Sequence, residues 1–149
     1  MARSTFVSYR FNRDDTERSA LLEPYWGKWP YNGPGTDARR FERAPLSVIE
    51  ALMKRGFLDP SGTQNDSPTA RQLADLMKRH PGITADGYTI HRLREDYRVT
   101  LDGVGVDPAD VRDPVHGKSI QGALRRVALK YRATSFREAP DGRLYAWWD

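Results

Sequence analysis

The strongest constraint on what this chain can fold into is an order of elements that occurs twice: a helix followed by a hairpin. The first instance spans Ser67–Val104 and the second Ser119–Trp148. No residue-level repeat links the two, so the recurrence is one of architecture. Helices with an apolar stripe and strands with one apolar face must bury those surfaces against each other. The expectation is an α+β fold, a two-layer domain in which an antiparallel sheet of about four or five strands carries its helices on one face.

The chain of 149 residues suits a single domain with a core of its own. Residues 1–43 read as an N-terminal strand, a short helix and an aromatic Pro/Gly loop, and residues 44–149 as an α-α-ββ-α-ββ body. In the first part Thr5, Val7, Tyr9 and Phe11 alternate with Phe6, Ser8 and Arg10, which predicts a strand. Asp14-Asp15 offers an N-cap for a helix that runs through Leu21 and Leu22 and closes before Pro24. Pro24 to Gly35 is too rich in Pro and Gly for regular structure. It carries Tyr25, Trp26, Trp29 and Tyr31 around Lys28, a composition that suits either a stacking platform or a loop pinned to the core by its own rings.

Leu46 to Arg55 is expected as a helix with Leu46, Ile49, Leu52 and Met53 inward, ended by Gly56. Asp59 to Asp66 reads as an exposed loop. Ser67-Pro68 predicts the next helix start, with Ser as N-cap and Pro at the first helical position. That helix reaches about His80, with Ala70, Leu73, Leu76 and Met77 inward and Arg71, Asp75, Lys78 and Arg79 on a solvated face. A hairpin follows, Gly87–Leu93 and Tyr97–Val104, turning through Arg94-Glu95-Asp96 and alternating as a sheet with one wet face does. Asp107 to Gly117 is a connection with a single helical turn near Ala109–Val111.

Ser119 opens the last helix. Ile120, Leu124, Val127 and Tyr131 fall within about 60° of one another at ~100° per residue, a core stripe. Arg125, Arg126, Lys130 and Arg132 occupy the rest of the wheel, with Leu129 among them. The second hairpin, Ala133–Glu138 and Arg143–Trp148, turns through Ala139-Pro140-Asp141-Gly142.

Charge concentrates in this last part. Residues 1–117 carry 17 Lys/Arg and 17 Asp/Glu, whereas residues 118–149 carry 7 and 3, which is the whole net charge of +4. A sequence pI near 9.5 favours an anionic partner. With no cysteine, disulfides and thiolate metal sites are excluded, as suits a reducing compartment. No apolar run approaches the roughly 20 residues of a bilayer span, and the N-terminus has no apolar stretch like a signal peptide's. The expectation is a cytoplasmic protein without membrane contact.

The sequence carries no metal or nucleophile signature. His80, His91 and His116 are far apart, no lysine has a carboxylate two positions before it, and no phosphate-cradling loop is present. Asp14-Asp15 and Glu95-Asp96 suit a helix start and a turn. No cofactor is expected, and a binding role is favoured over an enzyme. The first reading is nucleic-acid binding, with Arg125, Arg126, Lys130 and Arg132 along a phosphate backbone and Arg137 and Arg143 extending the stripe onto the hairpin. The alternative is a protein-interaction module or inhibitor that captures an acidic partner through Leu129 amid arginines, with the Trp/Tyr loop in support. A helix followed by a hairpin invites comparison with winged-helix domains, but the hairpin Gly87–Val104 stands where that fold needs a short turn, and no family resemblance is claimed.

Overall fold

In a computed structural model of the chain, residues 9–27 and 38–149 are described. Five antiparallel strands form one sheet: β1 (Ala38–Ala44), β2 (Ile83–Ile90), β3 (Val99–Val106), β4 (Ser135–Glu138) and β5 (Leu144–Trp147), in the order β1-β2-β3-β5-β4. The described residues also form helices α1 (Asp15–Leu22), continued by a 3-10 turn at Glu23–Tyr25, α2 (Leu46–Lys54), α3 (Ala70–Arg79), α4 (Pro108–Val111) and α5 (Gly117–Lys130). The expected α+β architecture is therefore what forms.

The core lies between the sheet and the helices. Ile83, Ala85, Leu101, Val104, Val106 and Ala146 meet Ile49, Leu52, Leu73, Met77, Ile120 and Leu124, all of them buried. α2 and α5 end alike. Phe57 N–H donates to Leu52 and Gly56 N–H to Met53, while Ala133 N–H donates to Ala128 and Arg132 N–H to Leu129. Both are Schellman caps, which place one residue in the left-handed region. In α2 that residue is Gly56 (φ 82°), and in α5 it is Arg132 (φ 56°).

Several expected boundaries move. β1 was not foreseen: its sequence, Ala-Arg-Arg-Phe-Glu-Arg-Ala, lacks apolar alternation because Phe41 and Ala44 alone point fully into the core. The expected strand Thr5–Phe11 falls mostly outside the described residues, and Tyr9 to Phe11 is not strand but an edge-to-face ring contact of 4.6 Å. β2 begins at Ile83, well before Gly87, because its pairing with β3 reaches Val106. Thr69, not Ser67, caps α3. Its hydroxyl accepts from Gln72 N–H, and the Gln72 side chain accepts from Thr69 N–H. Ser67 Oγ instead accepts from Gln64 N–H, closing the preceding loop. α5 starts at Gly117, two residues before Ser119.

The sheet's second face is not simply wet. Thr100 and Asp102 are expected outward on β3, yet they are 6% and 4% exposed. Arginines lie over both: Arg98, just before β3, donates to Thr100 Oγ1 at 2.9 Å. Arg40 binds Asp102 with two hydrogen bonds of 2.7 and 3.0 Å.

Candidate functional site

Register dictates the far face of the sheet. Asp86 on β2 stands opposite Gly103 on β3, which stands opposite Trp147 on β5. One rung along, Thr84, Gly105 and Tyr145 repeat the arrangement. Two glycines in the central strand thus leave a trough with polar β2 residues on one bank and aromatic β5 residues on the other. Arg143 crosses it, donating to Asp86 at 2.8 and 3.2 Å and to Thr84 Oγ1 at 3.1 Å. A bulge in β1 between Phe41 and Ala44 holds Arg43 at φ 56° and aims it at Asp107 and Asp141, 3.2 and 2.6 Å away. Bulges commonly redirect a side chain in this way. Burial, opposed by Arg40, pushes the Asp102 carboxyl above its usual range.

On the helical layer a second concavity opens, about 380 Å³ in volume, between α3 and α5. α3 packs on α2 and the sheet, and α5 on the sheet strands, so the two helices leave a cleft rather than a seam. Half-buried Val127 and Tyr131 supply its accessible apolar lining above buried Pro68, Leu73 and Leu76, and Arg79, Arg126 and Lys130 its cations. Asp75 is the one carboxylate in the lining. Among the described residues none of the three cations forms an ion pair. Their field is felt at the end of α3: burial first, then Arg79 and Arg126, hold the His80 imidazole below its usual range.

These two concavities divide the residues singled out from the sequence. Arg126 and Lys130 line the α3–α5 cleft. Arg125, Leu129 and Arg132 lie on the outer side and end of α5, all exposed, with Leu129 72% accessible. Arg137 and Arg143 do not continue that stripe. Their neighbours Phe136 and Leu144 pack toward the core, so both arginines sit on the opposite layer. Arg137 donates to Tyr145 Oη at 2.7 Å, and Arg143 is 7% exposed. Arg79 and Asp75, read from the sequence as part of a solvated face, belong to the cleft. No periodicity shows which flank of α3 will meet α5.

In the aromatic segment, Tyr25 and Trp26 are half-buried and pack against the core. Trp26 bridges to Phe41, and the Arg39 guanidinium lies 4.0 Å over its ring. Lys28, Trp29 and Tyr31 lie outside the described residues. Among the described residues no group of three His, Asp or Glu side chains is placed to hold a metal ion, and no helix is long and apolar enough to cross a membrane.

Compared with protein-family models, with curated proteins and with solved structures, the chain matches none.

Proposed function

We propose that this chain is a binding protein that captures an acidic, amphipathic protein segment in the cleft between α3 and α5. The observation that carries this reading is the meeting, in one concavity, of apolar surface from Val127 and Tyr131 with three cations, Arg79, Arg126 and Lys130, that form no ion pair among the described residues. A phosphate backbone needs the cations and has no use for the half-buried Val127 and Tyr131 between them. A helix or turn with apolar residues on one side and carboxylates at its margins uses both. Exposed Leu129, beside Arg125 and Arg126 on the same helix, extends the mixed surface beyond the cleft. Arginine next to apolar carbon is a common make-up of interface hot spots.

A second reading, nucleic-acid binding, draws on a different observation. Arg125, Arg126, Lys130 and Arg132 are all exposed along one helix and its cap. Salt dependence separates the two, because each neutralised phosphate steepens the loss of affinity with ionic strength. The test is binding of an acidic amphipathic helical peptide and of mixed-sequence DNA and RNA at two salt concentrations. Peptide binding that survives moderate salt, and that falls with Arg126→Ala plus Lys130→Ala but not with Arg71→Ala plus Lys78→Ala, supports the proposal. Steeply salt-dependent binding of nucleic acid alone transfers the site to the second reading.

A further inference from the structure

We propose that the trough on the face of the sheet opposite α2, α3 and α5 is a separate ligand site, suited to a neutral, polyhydroxylated ligand such as a short oligosaccharide. It is independent of the α3–α5 cleft, which lies on the opposite layer. Its volume is about 470 Å³, within the range of small-molecule sites.

Charge pairing narrows the ligand. Arg40 is held by Asp102, Arg143 by Asp86, and Arg43 by Asp107 and Asp141. An incoming phosphate would have to displace a carboxylate from a guanidinium that it already grips at hydrogen-bond distance. An incoming cation meets Asp86 and Asp141 already engaged, exposed Glu42 being the one lining carboxylate outside an ion pair among the described residues; Asp86 accepts from Arg143 and also from Arg43 N–H at 2.9 Å. The buried part of the site thus favours neither sign of charge.

What remains is an array of fixed donors and acceptors beside aromatic surface. Arg143 lies across the floor, 7% exposed, and its Nε is buried without a hydrogen-bond partner. Thr84 and Asp86 stand on one bank, and Tyr145 and Trp147 on the other, two residues apart on the same face of β5. Such positions are separated by about 7 Å. Gly105 leaves the room that the Arg143 guanidinium fills, and Gly103 presents no side chain between Asp86 and Trp147. A Cβ on Gly105 would come within 2.6 Å of the Arg143 guanidinium. A sugar ring carries hydroxyls that each donate and accept, together with a C–H face that packs on aromatic rings. Half-buried Tyr145 and Trp147 offer the aromatic part, and the arginine–carboxylate pairs offer planar groups already held in place.

The experiment is an amide and indole NMR titration of the full chain with maltotriose, cellotriose and chitotriose, repeated with a mixed-sequence oligonucleotide. At least one trisaccharide is expected to shift the Gly103, Gly105 and Trp147 indole N–H signals, with a Kd unchanged by added salt. Trp147→Ala should weaken that binding at least tenfold. Glu42→Ala, an exposed lining position, should weaken it about threefold and keeps the test open if the tryptophan variant fails to fold. The proposal is overturned if no trisaccharide moves these signals, or if the oligonucleotide moves them instead.

Discussion

Arg143 reaches across Gly105 of the central strand to bind Asp86, with Nη1 2.8 Å from Oδ2. The two residues are 57 positions apart, their side chains are 8% and 13% exposed, and the contact spans three strands. It passes over β3 only because residue 105 has no side chain. Arg143→Met leaves Asp86 poorly solvated and without its partner, which typically costs about 3 kcal/mol or more. Urea denaturation should show that loss, and Arg143→Lys should recover part of it, since a lysine restores charge but not the two-pronged geometry.

Gly87 makes a sharper prediction. A Cβ there would lie 2.2 Å from the Thr100 carbonyl oxygen and 2.6 Å from Phe41 Cζ. The first contact is with backbone in a paired strand, which cannot yield without disturbing β2–β3 pairing. Gly87→Ala is expected to destabilise by about 3 kcal/mol, at the upper end for overpacking. Thermal unfolding checks it, and loss of less than about 1 kcal/mol would contradict the close packing of Phe41 over β2.

Arg132 occupies a cap position where glycine is the usual residue, as the equivalent Gly56 shows. A non-glycine residue in the left-handed region carries strain of order 1 kcal/mol. Arg132→Gly should therefore raise stability by about 0.5–1 kcal/mol, after allowing for the greater freedom of glycine in the unfolded chain. If Arg132 contacts the partner, the same substitution weakens binding. Opposite signs in melting and binding experiments would mark a residue kept for function at a cost in stability.

His80 reports on the cleft. Its value in the folded chain lies below the ordinary one of about 6.5, for reasons of burial and of Arg79 and Arg126. A histidine depressed in this way contributes stability that is full above about pH 6.5 and declines as pH falls through the folded value. Arg126→Ala removes one of the like charges, so the imidazole titration, followed by NMR, should move upward. An acidic peptide seated in the cleft should move it the same way, and no movement on saturation would place the peptide elsewhere.

Asp96 accepts hydrogen bonds from Arg94 at 2.8 Å and from Arg98 at 3.2 Å in the turn between β2 and β3. Burial raises its carboxyl, but the two guanidiniums outweigh burial and hold it below the usual range. A depressed carboxylate stabilises the fold above about pH 4, and that contribution disappears as pH falls through the folded value. Asp96→Asn should lower stability at pH 7 by no more than about 1 kcal/mol, because the pair is partly exposed. Melting curves between pH 5 and about pH 2 should be flatter for the variant than for the parent chain.

Amphipathic period and turn chemistry alone determine a good deal of this protein. The inward residues of α2 and α3 follow from helical spacing, since a stripe such as Ile49, Leu52 and Met53 has no other stable place than a core; on α5 spacing finds Ile120 and Leu124, but Ala123 and Ala128 complete the buried face and Val127 and Tyr131 turn to the cleft. Gly56 and the Pro140–Gly142 turn mark ends that only such residues form readily. The four- or five-stranded antiparallel sheet follows from two hairpins and the need to cover their apolar faces.

β1 and both concavities depend on tertiary structure. Arg39, Arg40 and Arg43 give their strand no alternation to read, because the partners that make them tolerable there, Trp26, Asp102, Asp107 and Asp141, come from distant parts of the chain. Arg143 looks in sequence like one more member of the basic stripe begun at Arg125, yet strand alternation sends it through to the other layer. Asp75 and Arg79 look like plain helix surface until α5 is laid beside them. Local spacing fixes which face of an element is apolar. Which polar face becomes a cleft depends on what packs next to it, and that is decided by the closing of the whole core.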